Sequence, residues 1–139
     1  VRVKKIAGHA VLMAQSGQYN VSRCRRHGEE AAARLACCEF VNHTLAMLFL
    51  LNERHMPFYK WAFRAAKELP KLSELIPTLE ALLREPDEDT IERVSAAVIE
   101  ELRAQGLTDG GWDFLEPHAY AAMRRIRNPE IAALHIMEV

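Results

Sequence analysis

The stretch Asn52-Glu53-Arg54-His55-Met56-Pro57-Phe58-Tyr59-Lys60-Trp61 sets an amide, cations, an imidazole, a phenol and an indole side by side, directly after a strongly apolar run. Packing alone does not need such a variety of polar heads. A second cluster, Ser16-Gly17-Gln18-Tyr19-Asn20 followed by Arg23, Arg25 and Arg26, has the same mixture of amide, phenol and cation. Guanidinium groups bind phosphate bidentately. If these arginines open a helix, its free N–H groups and positive dipole end reinforce them. The plainer alternative pairs Arg25 and Arg26 with Glu29 and Glu30 one turn on. In the other cluster Lys60 and Arg64 share a helix face. Tyr59 or Trp61 beside them could stack on a base while the cations hold phosphates. The plainer alternative there turns Phe58, Trp61 and Ala65 to the core and leaves both cations solvated.

Other chemistries are poorly supported. His9, His27, His43, His55, His118 and His135 include no His-x-x-x-His pair, and Cys24, Cys37 and Cys38 have no Cys-x-x-Cys spacing, so no metal site or disulfide framework is expected. Cys37 and Cys38 read as packing residues, and His43 as a hydrogen-bonded core residue. No Gly-x-Ser-x-Gly elbow or phosphate-binding glycine loop is present. Glu29-Glu30 and Glu100-Glu101 splay apart on helices and do not make an acid–base pair. No catalytic residue is assigned.

The elements that must position these groups all have helical spacing. The chain of 139 residues suffices for one domain spanning residues 1–139. A net charge of -1 argues against wholesale coating of nucleic acid. The longest stretch without a formal charge, Phe40 to Asn52, is shorter than the roughly 20 residues a bilayer span needs. No membrane contact and a cytoplasmic location are therefore expected. Lys4 and Lys5 oppose the dipole of the helix they would open, which suggests a segment lying inside a longer protein or following an ordinary disordered start.

Val3, Ile6, Ala10 and Met13 predict a first helix ending near Ser16-Gly17. Asn20 or Ser22 would cap a long central helix to about Arg54. Its stripe reads Cys24, Gly28, Ala31, Leu35, Cys38, Val41, Leu45 and Leu48. If straight, that helix would hold the two polar clusters some 50 Å apart at about 1.5 Å per residue. A break, most readily at Gly28, would change that. Further helices are expected after Pro57, from Pro77 to Arg84 or Glu85, from the Asp87–Thr90 caps to Gly106, from Phe114 or Pro117 to Arg127, and briefly after Pro129. The expectation is an all-α fold, a single antiparallel bundle around one long central helix.

Ser16-Gly17-Gln18-Tyr19-Asn20 with Arg23-Cys24 and Gly28-Glu29 resembles the opening signature of domain of unknown function 4037. Leu48-Phe49-Leu51-Asn52, Met56 to Trp61 and Lys67-Glu68-Leu69-Pro70 resemble its second signature. Phe114-Leu115 and His118-Ala119-Tyr120 resemble its tail. Val21-Ser22 departs from the aromatic-proline pair of that pattern, and His27 from its cation. The resemblance implies the helical part that follows a nucleotidyltransferase domain. By that carry-over Gln18, Tyr19, Asn20, Arg23, Asn52, Tyr59, Lys60 and Trp61 form the site, to which the charge argument adds Arg26 and Arg64. It also implies magnesium and a nucleoside triphosphate for the parent enzyme, with an upstream nucleotidyltransferase domain as partner. Arg2 and His9 match the spacing of ribonuclease-like bundles, a two-residue pattern that recurs by chance.

The functional expectation is an accessory substrate- or nucleotide-binding helical domain that is not catalytic alone, with Arg23 at the phosphate end. The alternative is a helical interaction or oligomerisation module, whose apolar faces would meet a second copy.

Overall fold

A computed structural model describes residues 1–138. The fold is all-α, with no strand among the described residues. In chain order the helices are α1 (Arg2–Met13), a π-helical segment (Ala14–Val21), α2 (Ser22–Arg26), α3 (Glu30–Leu51), α4 (Tyr59–Ala66), α5 (Ile76–Arg84), α6 (Glu88–Ala104), α7 (Leu115–Met123) and α8 (Pro129–Ala132), with a 3₁₀ turn at Ser73–Leu75.

The first helix does not stop at Ser16-Gly17. The backbone stays right-handed helical through the junctions at Ala14 and Ser22, so α1, the π segment and α2 form one continuous helix. It ends at His27-Gly28, where Gly28 takes φ 75°. Gly28 N–H donates to the Arg25 carbonyl (3.0 Å), and Glu29 N–H to that of Cys24 (2.8 Å). This is a Schellman stop, which needs a residue that tolerates the left-handed region. The expected continuous helix from Ser22 to Arg54 is thus two helices.

The break resets the helical phase. In α3 the buried face is Ala33, Cys37, Phe40, Val41, Thr44, Leu45, Met47, Leu48, Phe49 and Leu51. Ala31, Leu35 and Cys38, placed on the core stripe by continuing the phase from Cys24, face solvent; Leu35 is 70% exposed. The exposure of Cys38 also removes it from the packing residues. Val41, Leu45 and Leu48 are buried as expected, because α3 is apolar nearly all round in that half.

The most enclosed element is α1. Lys4, Ile6, Ala7, Gly8, Ala10, Val11 and Met13 are all buried, and α1 packs chiefly against α3 and α7. Lys4 is buried because its ammonium donates to the Ile136 carbonyl (3.1 Å) and to that of Glu138, tying the C-terminal tail to the start of the chain. Helix α3 is long and apolar enough to cross a membrane by length and composition, but half of that stretch is buried within the fold, as in a core helix.

The later helices start where their local signals predict. The Asp87 carboxylate caps α6 by accepting from the Thr90 hydroxyl and from Thr90 N–H (2.9 Å), and these bonds, the hydroxyl's first, hold its carboxyl below the usual range. Gly106, φ 73°, closes α6 with a second Schellman stop. Helix α7 ends at Met123, short of Arg127. His118, fully buried at its centre, donates from Nε2 to the Trp112 carbonyl (2.7 Å), leaving Nδ1 to accept from the Thr108 hydroxyl (2.8 Å). That pairing fastens the Thr108–Phe114 loop to α7.

Candidate functional site

The π segment is where the first cluster acquires its geometry. A π-helix bonds i to i+5 and widens the backbone, and such segments within α-helices are frequent at functional sites. Packing holds it. Gly17 is buried against the Phe40 ring, so close that an added Cβ would lie 2.7 Å from Cγ and 2.9 Å from Cε1. Ser16 Oγ returns its proton to the Leu12 carbonyl at 2.6 Å. Gln18 bridges three elements. Its Nε2 donates to Glu92 Oε2 (3.0 Å) and to the Asp113 carbonyl (3.0 Å), while its Oε1 accepts from Leu115 N–H (2.8 Å) at the start of α7. Gln18, expected to bind substrate, has its amide engaged in clamping these elements together.

On the outer side, Tyr19 and Asn20 line an open cleft of about 350 Å³ with Gln15, Phe114 and Glu116. Gln15 Nε2 approaches Glu116 Oε1 at 3.5 Å across it. Arg23 stacks over the Tyr19 ring, 5.5 Å from its centroid, and donates from Nη1 to the Tyr19 hydroxyl at 2.7 Å. This leaves the Tyr19 hydroxyl proton free to donate to a guest. The clamp through Gln18 and the cleft share a cause: both bring the π segment against the start of α7.

The three arginines stand at the opposite helix end from the one expected. They lie in the last turn of α2, not in the first turn of a central helix. Cations at a C-terminus complement the dipole and need no anion, and no free N–H groups point outward there. Arg25 pairs with Glu30 (3.1 Å) and Glu85 (3.2 Å). Arg34 joins the same network through Glu85 (3.0 Å). Arg26 is exposed and lines no cleft with Tyr19. The argument for a phosphate site at a helix N-terminus therefore fails; only Arg23 remains beside the cleft.

The second cluster is divided. The Asn52 side chain accepts from Lys71 N–H (2.9 Å) and donates to the carbonyls of Lys71 (3.0 Å) and Leu48 (2.7 Å). It closes the loop around α4, so this amide too is engaged by the fold. Just before α4 and along it, Phe58, Tyr59 and Trp61 are 65%, 67% and 55% exposed, while Ala62 and Ala66 face the core. The alternative that buries Phe58 and Trp61 is overturned. Arg64 stacks on Trp61, 5.4 Å from its ring centroid, and Phe58 packs on Tyr59 with centroids 4.6 Å apart. Lys60 is exposed on the same short helix. The result is a convex aromatic–cationic surface, not a pocket. Among the described residues the two clusters share no hydrogen bond and no cavity.

Three cleft residues, Gln15, Phe114 and Glu116, escaped the sequence reading as site residues. Phe114 lay in the resemblance; Gln15 and Glu116 carried no local signal, since they meet only by packing across the fold. The same holds for His9 and His43. Their Nδ1 atoms lie 3.0 Å apart between α1 and α3, so one imidazole donates and the other accepts. Burial, then the neighbouring His43, Lys5 and Lys4 charges, push His9 down to about 4. Burial pushes His43 down as well, against Glu39. Both rings are neutral at pH 7. Burial raises the Cys37 thiol to about 11, which leaves it an inert core residue.

No group of three or more His, Cys, Asp or Glu side chains that could hold a metal ion occurs among the described residues. Neither a curated protein nor a solved structure matches the chain. Residues 1–62 match the family described as domain of unknown function (DUF4037), a stretch that holds the π segment, all of α3 and the aromatic surface as far as Trp61, but neither Arg64 nor the α7 side of the cleft.

Proposed function

We propose that this chain is the accessory substrate-binding domain of a nucleotidyltransferase-like enzyme, and that the Tyr19–Asn20–Glu116 cleft holds the acceptor. The observation that carries the reading is the cleft itself. It has the size of a small-molecule site, whose range begins at roughly 300 Å³. It combines two aromatic faces, two amides and one carboxylate, and it is built on a π-helical segment that packing holds. Glu116 would take an amino or hydroxyl group of the acceptor, Asn20 and Gln15 its polar edge, and Tyr19 and Phe114 its flat face. Arg23, held on Tyr19, would face the phosphate tail of the nucleotide. The resemblance supplies the rest: an upstream cytoplasmic nucleotidyltransferase domain with the paired carboxylates, magnesium and nucleoside triphosphate of the transfer. On this reading the chain alone, given ATP and magnesium, releases no pyrophosphate.

The test is calorimetric titration of this chain with glucosamine, spermidine and free amino acids as amine-bearing probes. A probe that binds should lose about tenfold or more in affinity on Glu116→Gln, the range for a hydrogen bond to a charged group. Binding unchanged by both Glu116→Gln and Tyr19→Ala would refute the cleft assignment.

A second reading has its own observation. Phe58, Tyr59 and Trp61 form an exposed aromatic face of the kind that marks protein contacts. On that reading α4 docks on the catalytic domain or on a second copy of the chain, and the domain is an interaction module.

A further inference from the structure

A different part of the molecule gathers basic side chains around a small hollow. The start of α1, the end of α3 and the segment after it border an open hollow of about 270 Å³ lined by Lys5, His9, Arg54 and His55 on its polar side and by Ala46, Phe49, Leu50 and Met56 on its apolar side. Four basic side chains converge on one small hollow. Among the described residues Lys5 and Arg54 form no ion pair and donate no side-chain hydrogen bond. Arg2 and Lys4 add two more cations in the same first turn, where the positive end of the α1 dipole repels them all.

Lys5 and Arg54 are not needed to cap α3. Its last carbonyls already have partners: Leu48 accepts from Asn52, Leu50 from Arg2 Nε at 2.7 Å, and Leu51 from Gln105 Nε2 at 2.9 Å. Backbone N–H groups of Asn52 and Arg54 take the Phe49 carbonyl. The negative helix end is therefore occupied, and the side chains of Lys5 and Arg54 are not spent on it. Glu53 lines the adjoining hollow with Arg2 and Lys5, Glu138 lines another with Lys4 and Lys5, and Glu39 acts on His43, so acidic groups border the site without lining it.

We propose that this pocket binds a phosphate-class oxyanion, with Lys5 and Arg54 as its principal charges and His9 and His55 as hydrogen-bonding walls. At 270 Å³ it falls just under the size at which whole-ligand pockets begin. It therefore fits a phosphate or diphosphate head, not a complete nucleotide. His9 uses Nδ1 on His43 and keeps Nε2 for the guest. Burial first, then His43, and after them Lys5 and Lys4 lower the His9 imidazole, so the two lysines add to a shift that burial leads. The site uses none of the cleft residues, so it stands or falls apart from the acceptor reading.

The experiment is calorimetric titration of the chain with sodium diphosphate and, separately, with ATP without metal, alongside an NMR pH titration of His9. Lys5→Ala and Arg54→Ala each change an exposed residue and should leave the unfolding midpoint in place. Each should weaken diphosphate binding about tenfold or more, while Lys60→Ala on the α4 surface should leave it unchanged. Saturating diphosphate should raise the His9 pKa, because anion and proton binding at neighbouring positions are linked reciprocally. ATP binding tighter than diphosphate identifies a nucleotide tail as the source; equal affinities identify a free phosphate or sugar-phosphate head. Absence of diphosphate binding, equal loss on Lys60→Ala, or a His9 pKa that diphosphate does not move would overturn the proposal.

Discussion

Replacing Gly17 by alanine probes the packing that holds the π segment open. In an ordinary helix interior the change stabilises by up to about 1 kcal/mol, since glycine is the costlier residue there. At this site the new Cβ would meet the Phe40 ring at 2.7 Å and 2.9 Å from two of its carbons and closer to a third. Phe40 is fully buried, so the ring has no void to enter. Overpacking of this kind costs about 1–3 kcal/mol, and contacts this short belong in the upper half of that range. The net expectation is a loss of about 1–2 kcal/mol. Urea denaturation followed by circular dichroism would read it as a lower midpoint at constant slope. Phe40→Leu removes the ring edge that Cβ would strike, so the double variant should lose less than the two single losses added together, by about 0.5–3 kcal/mol. A Gly17→Ala protein as stable as the wild type, or more so, would show that Gly17 is not needed for the approach of α3 and would remove the packing explanation of the π segment.

The two leucines once assigned to one stripe should separate cleanly. Leu45→Ala should cost about 2–5 kcal/mol through lost burial and a cavity, while Leu35→Ala, at a 70% exposed position, should stay within about half a kcal/mol; similar losses at the two sites by equilibrium denaturation would contradict the phase reset at Gly28. His9 sets a pH dependence. Its folded pKa of about 4 lies below the ordinary 6.5, so the unfolded chain binds more protons between them. The contribution is therefore complete above about pH 6.5 and is lost as pH falls towards about 4. With each tenfold change in proton affinity worth about 1.4 kcal/mol, it is at most on the order of 3 kcal/mol. His9→Gln should flatten the stability curve in that window relative to wild type, and parallel curves would refute the assignment.

The all-α class was legible from periodicity alone, because apolar residues three and four apart can share a buried face only on a helix. The Asp87 cap, the Gly106 stop and the start after Pro57 were legible for the same local reason: each rests on bonds within a few residues. The candidate site was not. Gln18 and Asn52 carry polar heads that look alike in sequence to those of Tyr19 and Asn20, yet they became clamps because α7 and the Lys71 backbone came within reach. Arg23, Arg25 and Arg26 changed from a helix start to a helix end once the π segment carried α1 through Ser16-Gly17. No short-range signal decides that continuation, since it depends on Phe40 of α3 closing on Gly17. The pairing of His9 with His43, and of Lys5 with Arg54 around one hollow, joins residues dozens of positions apart. The sequence by itself determined which segments coil and which polar groups exist. The tertiary structure alone decided which of those groups are consumed by the fold and which are left to face a guest, because a hydrogen-bond donor or a charge finds its partner by distance in space.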